Sequence, residues 1–220
     1  MARLARVVLP GVIHHVTQRG VRSMDIFYGD KDRKGYLSLL KDQGERTGLE
    51  FVAYCLMTNH IHLLVVPSGE ESLRKGIGEA HRLYTRHINF KTRTRGHLFQ
   101  GRFFSCPLDT SHFLSAARYI ERNPVRAKMC EQASEFQWSS ARYHLGLSLT
   151  DPIIKKKYKG IGKPQEWAKW LESDPPDLKE LRYSFRVGRP LGGESFIKQA
   201  ELTTGRSLFP KKPGRPKSQR

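Results

Sequence analysis

Cysteine is scarce in this chain of 220 residues, and long apolar runs are missing. The three cysteines, Cys55, Cys106 and Cys130, form no CxxC pair, which argues against a disulfide scaffold and against a zinc finger. No apolar run approaches the length of a membrane-spanning helix, and the N-terminus does not have the shape of a signal peptide. We therefore expect a cytoplasmic protein with no membrane partner.

Acidic residues are also few, 21 against 39 lysines and arginines, which gives a formal net charge of +18. Such a surplus disfavours a compact chain through self-repulsion, and it indicates a polyanionic partner. Nucleic acid fits this charge better than an anionic membrane does, so we expect association with the nucleoid. No P-loop, GxSxG motif or clustered acidic triad points to another class of enzyme.

Two histidines stand two residues apart in an otherwise apolar run. Side chains alternate between the faces of a strand, so His60 and His62 point to the same face. An unpaired buried polar group costs on the order of 1–3 kcal/mol, so both imidazoles must be hydrogen-bonded or bound to a ligand. The pattern leaves two interpretations open, a pair of satisfied core histidines or a metal site.

Three other segments read as strands. Residues 12–20 read as the first, in which His14 and His15 point to opposite faces, and we interpret both as structural. Residues 49–54 precede the histidine strand so closely that the two should pair antiparallel. Residues 98–104 interleave arginine with aromatic residues, a pattern that suits phosphate binding and base stacking but is also common in plain cores.

A later helix carries a tyrosine and an asparagine four residues apart. Asp109 or Thr110 caps this helix, and Pro124 limits its end. Tyr119 and Asn123 therefore lie on one helical face, about one turn from each other. Taken alone, the pair also fits a packed tyrosine followed by an asparagine that terminates the helix.

These two motifs together resemble those of one family. Asn59-His60-Ile61-His62 is similar to the His-hydrophobic-His motif of the HUH-type transposases, specifically the REP-associated tyrosine transposases, and residues 118–127 are similar to their single-tyrosine helix. The resemblance covers roughly residues 4 to 146. It implies an α+β fold with a ferredoxin-like antiparallel sheet and packed helices. Further similar segments are His15-Val16-Thr17, Arg19-Gly20, His97 to Phe103 and Trp138-Ser139-Ser140.

The resemblance also implies an activity, the cleavage and rejoining of single-stranded DNA at hairpin-associated repeats by a DNA nickase and ligase. It implies Tyr119 as the catalytic nucleophile and His60 and His62 as metal ligands. Relatives in the wider group use a glutamine four residues after the tyrosine as the third ligand, and here that position is Asn123. The expected partner is single-stranded or hairpin DNA, bound by a monomer or a homodimer.

The chemistry follows from the residue types. A phenol has a reference pKa of about 10 and needs activation before it can attack an anionic phosphodiester. A divalent ion held by His60, His62 and Asn123 would stabilise the charge of the transition state, and mixed nitrogen and oxygen ligands fit Mg²⁺ or Mn²⁺. Attack by Tyr119 would leave a 5′-phosphotyrosine and a free 3′-hydroxyl, so that rejoining needs no ATP.

The composition shifts after about residue 150, which predicts three parts. Residues 1–146 form the catalytic domain, residues 147–205 a helical C-terminal appendage, and residues 206–220 a basic tail that is disordered when free. The candidate DNA-binding residues come from the first strand, the basic segment before and within residues 98–104, and the tail. They are Arg19, Arg93, Arg95, Arg102, Phe103, Lys211, Lys212 and Arg215.

Two alternatives remain at the level of sequence. A non-catalytic protein with a ferredoxin-like sheet could bind RNA or DNA on that sheet, with His60 and His62 as structural residues and no dependence on metal. A metal-dependent nuclease could instead use water as the nucleophile and would leave no covalent protein–DNA adduct.

Overall fold

The computed structural model describes residues 6–209. Within this range one antiparallel sheet has the spatial strand order β2-β3-β1-β4. Its strands are β1 (His14–Arg19), β2 (Leu49–Leu56), β3 (His60–Pro67) and β4 (Phe104–Pro107). The helices are α1 (Asp30–Thr47), α2 (Ser72–Thr92), α3 (Thr110–Glu121), α4 (Asn123–Arg126), α5 (Ala141–His144), α6 (Pro164–Leu171), α7 (Leu178–Val187) and α8 (Glu194–Thr204). None of the helices in the described range is long and apolar enough to cross a membrane.

The chain order β1-α1-β2-β3-α2-β4 and the strand order of the sheet are those of the ferredoxin-like α+β fold. All strand pairs in the sheet are antiparallel. Each half of the unit, β1-α1-β2 and β3-α2-β4, has a helix that joins two strands, and one strand of the other half lies between those two strands in the sheet. The predicted fold class is therefore confirmed.

The two faces of the sheet are covered by different helices. Val16, Leu63 and Val65 point to the face on which α1 and α2 pack, and they belong to one hydrophobic core with those helices. Leu64 and Cys106 point to the opposite face, where α3 and α7 pack in a second core. Because side chains alternate along β3, His60 and His62 share the face of Leu64. The histidine pair therefore lies beneath α3 and α7.

The predicted antiparallel pairing of the second strand with the histidine strand is confirmed. Leu56 of β2 lies opposite Ile61 of β3, so residues 57–59 form the whole connection between them. The carbonyl oxygen of Thr58 accepts backbone hydrogen bonds from Ile26 and Phe27, which fastens this connection to the loop after β1. The histidine strand thus begins at a fixed turn.

The strand predicted at residues 98–104 is wrong, because β4 begins only at Phe104 and continues to Pro107. The segment before it turns sharply. Gly101 adopts φ +76°, and its N–H donates to the carbonyl of Phe99, a geometry that an extended strand does not have. Phe99 forms an isolated bridge with Gly20, just beyond β1, and the continuous strand begins at Phe104.

The C-terminal part is helical, as predicted for residues 147–205. α7 packs against β1 and β4, and α6 packs against α3. α8 ends at Thr204 and is capped by Gly205, which adopts φ +64°. The boundary between catalytic domain and appendage stays a prediction, as does the disorder of the tail, of which residues 210–220 lie outside the described range.

Candidate active site

His60 and His62 lie together on β3, near the middle of the sheet. His62 stands opposite Thr17 of β1 and Cys55 of β2, and His60 stands opposite Arg19 of β1. Their ring centroids are 5.1 Å apart and the ring planes are nearly perpendicular, at 87°. His62 is buried and His60, at the end of the strand, is half-buried. Solvent therefore reaches the pair from the side of His60.

Both imidazoles use Nδ1 for a hydrogen bond within the protein. Nδ1 of His60 donates to the side-chain carbonyl of Asn59 at 2.6 Å, and the amide nitrogen of Asn59 donates to the carbonyl of Ser23 at 3.1 Å. Nδ1 of His62 lies 2.8 Å from Nε2 of His15. When Nδ1 carries the proton, the lone pair of Nε2 is available to a ligand. The hydrogen bonds thus orient both rings as the outer partners of metal-bound histidines do.

Burial keeps both imidazoles uncharged at neutral pH. Desolvation, helped by the positive charge of Arg19, lowers the pKa of His60 to about 4. Desolvation also lowers the pKa of His62 well below its usual value, and the neighbouring rings of His15 and His60 and the charge of Arg126 act in the same direction. Because a histidine must be neutral to bind a metal ion, both side chains have the protonation state of ligands.

Tyr119 meets this pair from above, on α3. The side chain of Asp109 caps the helix by accepting a hydrogen bond from the N–H of His112 at 3.0 Å, which confirms one of the two predicted caps. The Tyr119 ring stands perpendicular to the His62 ring, with 5.6 Å between centroids. The guanidinium of Arg126 lies 4.1 Å from the centroid of the Tyr119 ring. A phenol, an imidazole pair and a fixed positive charge therefore converge at one point.

Arg126 is held in place by two contacts. It donates to the backbone carbonyl of Tyr119 at 2.7 Å and forms an ion pair with Asp174 at 3.2 Å. Asp174 also pairs with Arg122 at 3.0 Å. Because Asp174 lies between α6 and α7, these ion pairs fasten the C-terminal helices to the end of α3, which carries Tyr119, and to α4.

Sequence analysis missed two residues at this site. His15, interpreted as structural, faces His62, whereas His14 accepts from the N–H of Leu9 and bonds the carbonyl of Val12. Phe185 of α7 stacks on His15 with 3.6 Å between centroids, and it lies 5.4 Å from the Tyr119 ring. Strand alternation could have indicated His15, because His15 and Thr17 share one strand face and Thr17 pairs with His62. No local pattern marks Phe185, which comes from the C-terminal helices.

Asn123 is buried at the start of α4, one turn beyond Tyr119. Its amide nitrogen, Nδ2, has no hydrogen-bond partner among the residues that the structure describes. Exchange of the amide oxygen and nitrogen would place an oxygen acceptor at this unpartnered position. Within residues 6–209, no three His, Cys, Asp or Glu side chains are grouped to hold a metal ion. A metal ion bound at the histidine pair would need a third ligand of another type, and an amide oxygen is a ligand type that Mg²⁺ and Mn²⁺ accept.

The predicted DNA-binding arginines lie on the surface. Arg19 is exposed at the end of β1, beside His60, while Arg93, Arg95 and Arg102 are exposed in the segment between α2 and β4. The predicted tail residues fall outside the described residues. They are Lys211, Lys212 and Arg215.

Phe103 does not fit its predicted role in stacking on DNA bases. Its side chain is buried in the core beneath α1 and α2, and the guanidinium of Arg6 covers its ring at 3.6 Å from the centroid. The ring also contacts His81, with 5.9 Å between centroids. Both contacts leave no open face for a base, so we exclude Phe103 from the DNA surface.

A solved structure shares this fold. A REP-associated tyrosine transposase bound to a REP hairpin superposes with a TM-score of 0.54 at 15% sequence identity, covering 74% of this chain and 98% of that one. A crystal structure of a proposed transposase from Deinococcus radiodurans matches with a TM-score of 0.39 at 18% identity, covering 55% of this chain and 96% of that one. No curated protein sequence matches the chain.

One protein family matches the sequence itself. The family described as "Transposase IS200 like" matches residues 11–123, which is more than half of the 220 residues. The matched segment begins just before β1 and ends at Asn123, so it includes the histidine pair and Tyr119. This chain belongs to the family of IS200-like transposases.

Proposed function

We propose that this transposase cleaves and rejoins single-stranded DNA at hairpin-associated repeats, with Tyr119 as the nucleophile. The observation that carries the proposal is the contact of the Tyr119 ring with His62, at 5.6 Å between centroids, on the face that also holds His60. Nucleophilic catalysis requires the attacking group beside the groups that activate the phosphate. The ring contact between Tyr119 and His62 supports this assignment of roles.

We further propose Mg²⁺ or Mn²⁺ as the cofactor, held by Nε2 of His60, Nε2 of His62 and the amide oxygen of Asn123. When bound, the ion would polarise a non-bridging oxygen of the phosphate and stabilise the negative charge of the transition state. Imidazole by itself prefers zinc, but mixed nitrogen and oxygen ligands with open positions suit magnesium or manganese at cellular concentrations.

In the proposed step, the phenolic oxygen of Tyr119 attacks the phosphorus in line with the departing 3′-oxygen. A bond between the phenolic oxygen and phosphorus forms, and the bond between phosphorus and the 3′-oxygen breaks. The phenolic proton is released, and the departing oxygen ends as a 3′-hydroxyl. Arg126, fixed by Asp174, keeps a positive charge beside the attacking ring while the anionic phosphate approaches. Attack by a 3′-hydroxyl on the phosphotyrosine reverses the step and joins strands.

Two observations support a DNA hairpin as the substrate. The fold neighbour with the higher TM-score is a transposase solved with a REP hairpin bound. This chain carries a formal charge of +18, which suits a polyanion. The exposed arginines at positions 19, 93, 95 and 102 supply positive charge on the described surface, near β1 and before β4.

The test is the formation of a covalent adduct. The full chain is incubated with a DNA hairpin that has unpaired flanks, together with Mg²⁺ or Mn²⁺, and adducts that survive denaturation are separated by electrophoresis. We expect adducts with the native protein, none with Tyr119→Phe, and none in the presence of a chelator. Tyr119→Phe should keep its DNA affinity, because the lost oxygen makes a bond to phosphorus and not a binding surface. Tyr28→Phe, at an exposed tyrosine on another part of the fold, is the matched control.

Two results would contradict the proposal. Cleavage by Tyr119→Phe at the native rate would remove the nucleophile assignment and favour a nuclease that uses water. Tight binding with neither cleavage nor any metal dependence would favour a non-catalytic DNA-binding protein.

A further inference from the structure

A cleft of about 560 Å³ opens beside the tyrosine site, between the ends of β1 and β4 and helix α7. Two aromatic residues, two arginines and three uncharged polar residues line it. They are Phe104, Phe185, Arg19, Arg186, Thr17, Gln18 and Gln100. The proposed chemistry uses none of these side chains directly.

The aromatic walls connect the cleft to the nucleophile. Phe104 is the first residue of β4 and pairs with Thr17 of β1, so its side chain lies on the sheet face of His62. It is half-buried, unlike the neighbouring Phe103. Phe185 forms the inner wall and lies 5.4 Å from the Tyr119 ring and 3.6 Å from His15, between centroids. The ring of Phe185 would therefore lie between a planar group bound in the cleft and the ring of Tyr119.

The polar residues of the cleft suit an anionic, hydrogen-bonding ligand. Arg19 and Arg186 are both exposed at its rim, on β1 and α7 respectively. Gln100 is exposed as well, and its backbone N–H donates to the carbonyl of Arg19 at 2.8 Å, which fixes the loop before β4 along this wall. Aromatic faces combined with arginines are the elements with which proteins grip single-stranded nucleic acids, by stacking on bases and pairing with phosphates.

We propose that this cleft binds one unpaired nucleotide of the DNA strand beside the cleavage position, with its base stacked on Phe104 and its phosphates paired with Arg19 and Arg186. A double helix keeps its bases stacked on one another, so only an unpaired base can enter such a cleft. The cleft then selects single-stranded DNA next to the nucleophile. This inference rests on the proposed function of the Tyr119 site.

The test measures stacking directly, in a Tyr119→Phe background in which no cleavage can occur. A DNA hairpin with unpaired flanks carries the fluorescent base 2-aminopurine at one unpaired position at a time, and stacking quenches its fluorescence. We expect strong quenching at one flank position. Phe104→Leu should abolish this quenching and weaken binding roughly tenfold, within the range of a lost base–aromatic stack, whereas Phe104→Tyr should retain both. Phe90→Leu, at an exposed phenylalanine on α2, is the matched control and should change neither.

A second variant keeps the test independent of packing at Phe104. Arg19→Gln should weaken binding of the flanked hairpin and flatten its salt dependence, while Arg46→Gln, at an exposed arginine of α1, should not. Binding of a fully paired duplex should not depend on Phe104. The proposal is overturned if Phe104→Leu leaves the quenching and the affinity unchanged, or if Phe90→Leu reduces them equally.

The adduct assay separates this inference from the proposed function. Position-specific quenching without any Tyr119 adduct would retain the nucleotide cleft and remove the proposed nuclease chemistry. Adduct formation together with quenching that ignores Phe104 would retain the chemistry and remove the cleft.

Discussion

Nε2 of His15 and Nδ1 of His62 lie 2.8 Å apart, in a hydrogen bond between two adjacent strands that is buried from solvent. This hydrogen bond occupies Nδ1 of His62, which leaves Nε2 as the nitrogen that could face the proposed metal. His15 in turn is covered by the ring of Phe185. The orientation of His62, a proposed metal ligand on β3, thus depends on His15 of β1 and on Phe185 of α7.

We predict that His15→Ala weakens Mn²⁺ binding by roughly 10- to 100-fold, the range found when an outer partner of a metal-bound histidine is removed. The substitution leaves Nδ1 of His62 buried without its partner, so that the ring can turn or change tautomer. Titration of Mn²⁺ followed by electron paramagnetic resonance measures the affinity without requiring cleavage. His87→Ala, at an exposed histidine of α2, should bind Mn²⁺ as the native protein does. Equal affinities of His15→Ala and the native protein would contradict the prediction.

Strand alternation and helical spacing allowed the sequence to predict the main parts of the site. The shared face of His60 and His62 follows from a period of two, and the helix of Tyr119 follows from its cap and from Pro124. These signals are local, because each lies within one helix or strand. The structure has both histidines on one face of β3 and Tyr119 on a helix, as predicted.

Contacts between distant elements could not be predicted in the same way. His15 meets His62 across a strand pair that joins residues 47 positions apart, and nothing near Phe185 indicates that it will stack on His15. The prediction that Phe103 stacks on DNA bases failed for another reason. The turn at Gly101 sets where β4 begins, and shifting the start of a strand changes which neighbouring side chain enters the core.

The helix of Tyr119 is anchored by the buried carboxylate of Glu121. Its oxygens accept hydrogen bonds from Ser140 Oγ at 2.5 Å and from Trp167 Nε1 at 2.8 Å, and one of them lies 2.5 Å from His144 Nδ1. The backbone of Ser140 in turn donates to the carbonyl of Tyr54 in β2 at 3.1 Å. The carboxylate therefore joins α3 to the edge of the sheet and to α6.

We predict that Glu121→Ala lowers the free energy of unfolding by about 3–5 kcal/mol, because it leaves buried donors without their acceptor. Trp167→Phe, which removes one of these hydrogen bonds and keeps a large ring, should cost about 1 kcal/mol. Urea unfolding followed by circular dichroism measures both values. Glu172→Ala, at an exposed glutamate after α6, should change the free energy by less than 0.5 kcal/mol, roughly the usual effect at a surface position. A Glu121→Ala protein as stable as Glu172→Ala would show that the network does not stabilise the fold.

The ion pairs of Asp174 give a prediction about pH. Burial by itself raises the pKa of this carboxyl, but the bonds from Arg122 and Arg126 outweigh burial and hold the pKa below its usual value. A carboxyl with a lowered pKa stabilises the folded state fully above the unfolded pKa of about 3.9, and this contribution is lost as the pH falls towards the folded pKa. We expect Asp174→Asn to be less stable than the native protein at pH 7 and the two to converge below about pH 4. Urea unfolding across this range measures the difference, and a difference that stays constant with pH would contradict the assignment.

The last prediction concerns residues 211–220 of the basic tail, which carry five positive charges and no acidic residue. Each phosphate that a protein neutralises on single-stranded DNA contributes roughly −0.7 to the slope of log affinity against log salt concentration. A footprint of about six such contacts should therefore weaken binding more than a hundredfold between about 50 and 200 mM salt. If the tail supplies some of these contacts, deletion of residues 211–220 lowers the affinity and flattens the slope.

The matched control keeps the length of the tail and removes only its charge, with Lys211, Lys212, Arg215, Lys217 and Arg220 changed to glutamine. This variant should bind as weakly as the truncated protein, because the tail acts through its charge and not through its length. Cleavage should stay near normal for both variants once the DNA is saturated. Tyr119 lies on α3 and the histidine pair on β3, so neither variant changes these side chains. A truncated protein that binds normally but fails to cleave saturated DNA would instead make the tail a part of the catalytic assembly. Loss of affinity on truncation but not on charge removal would show that the tail contacts DNA through its backbone or its uncharged residues.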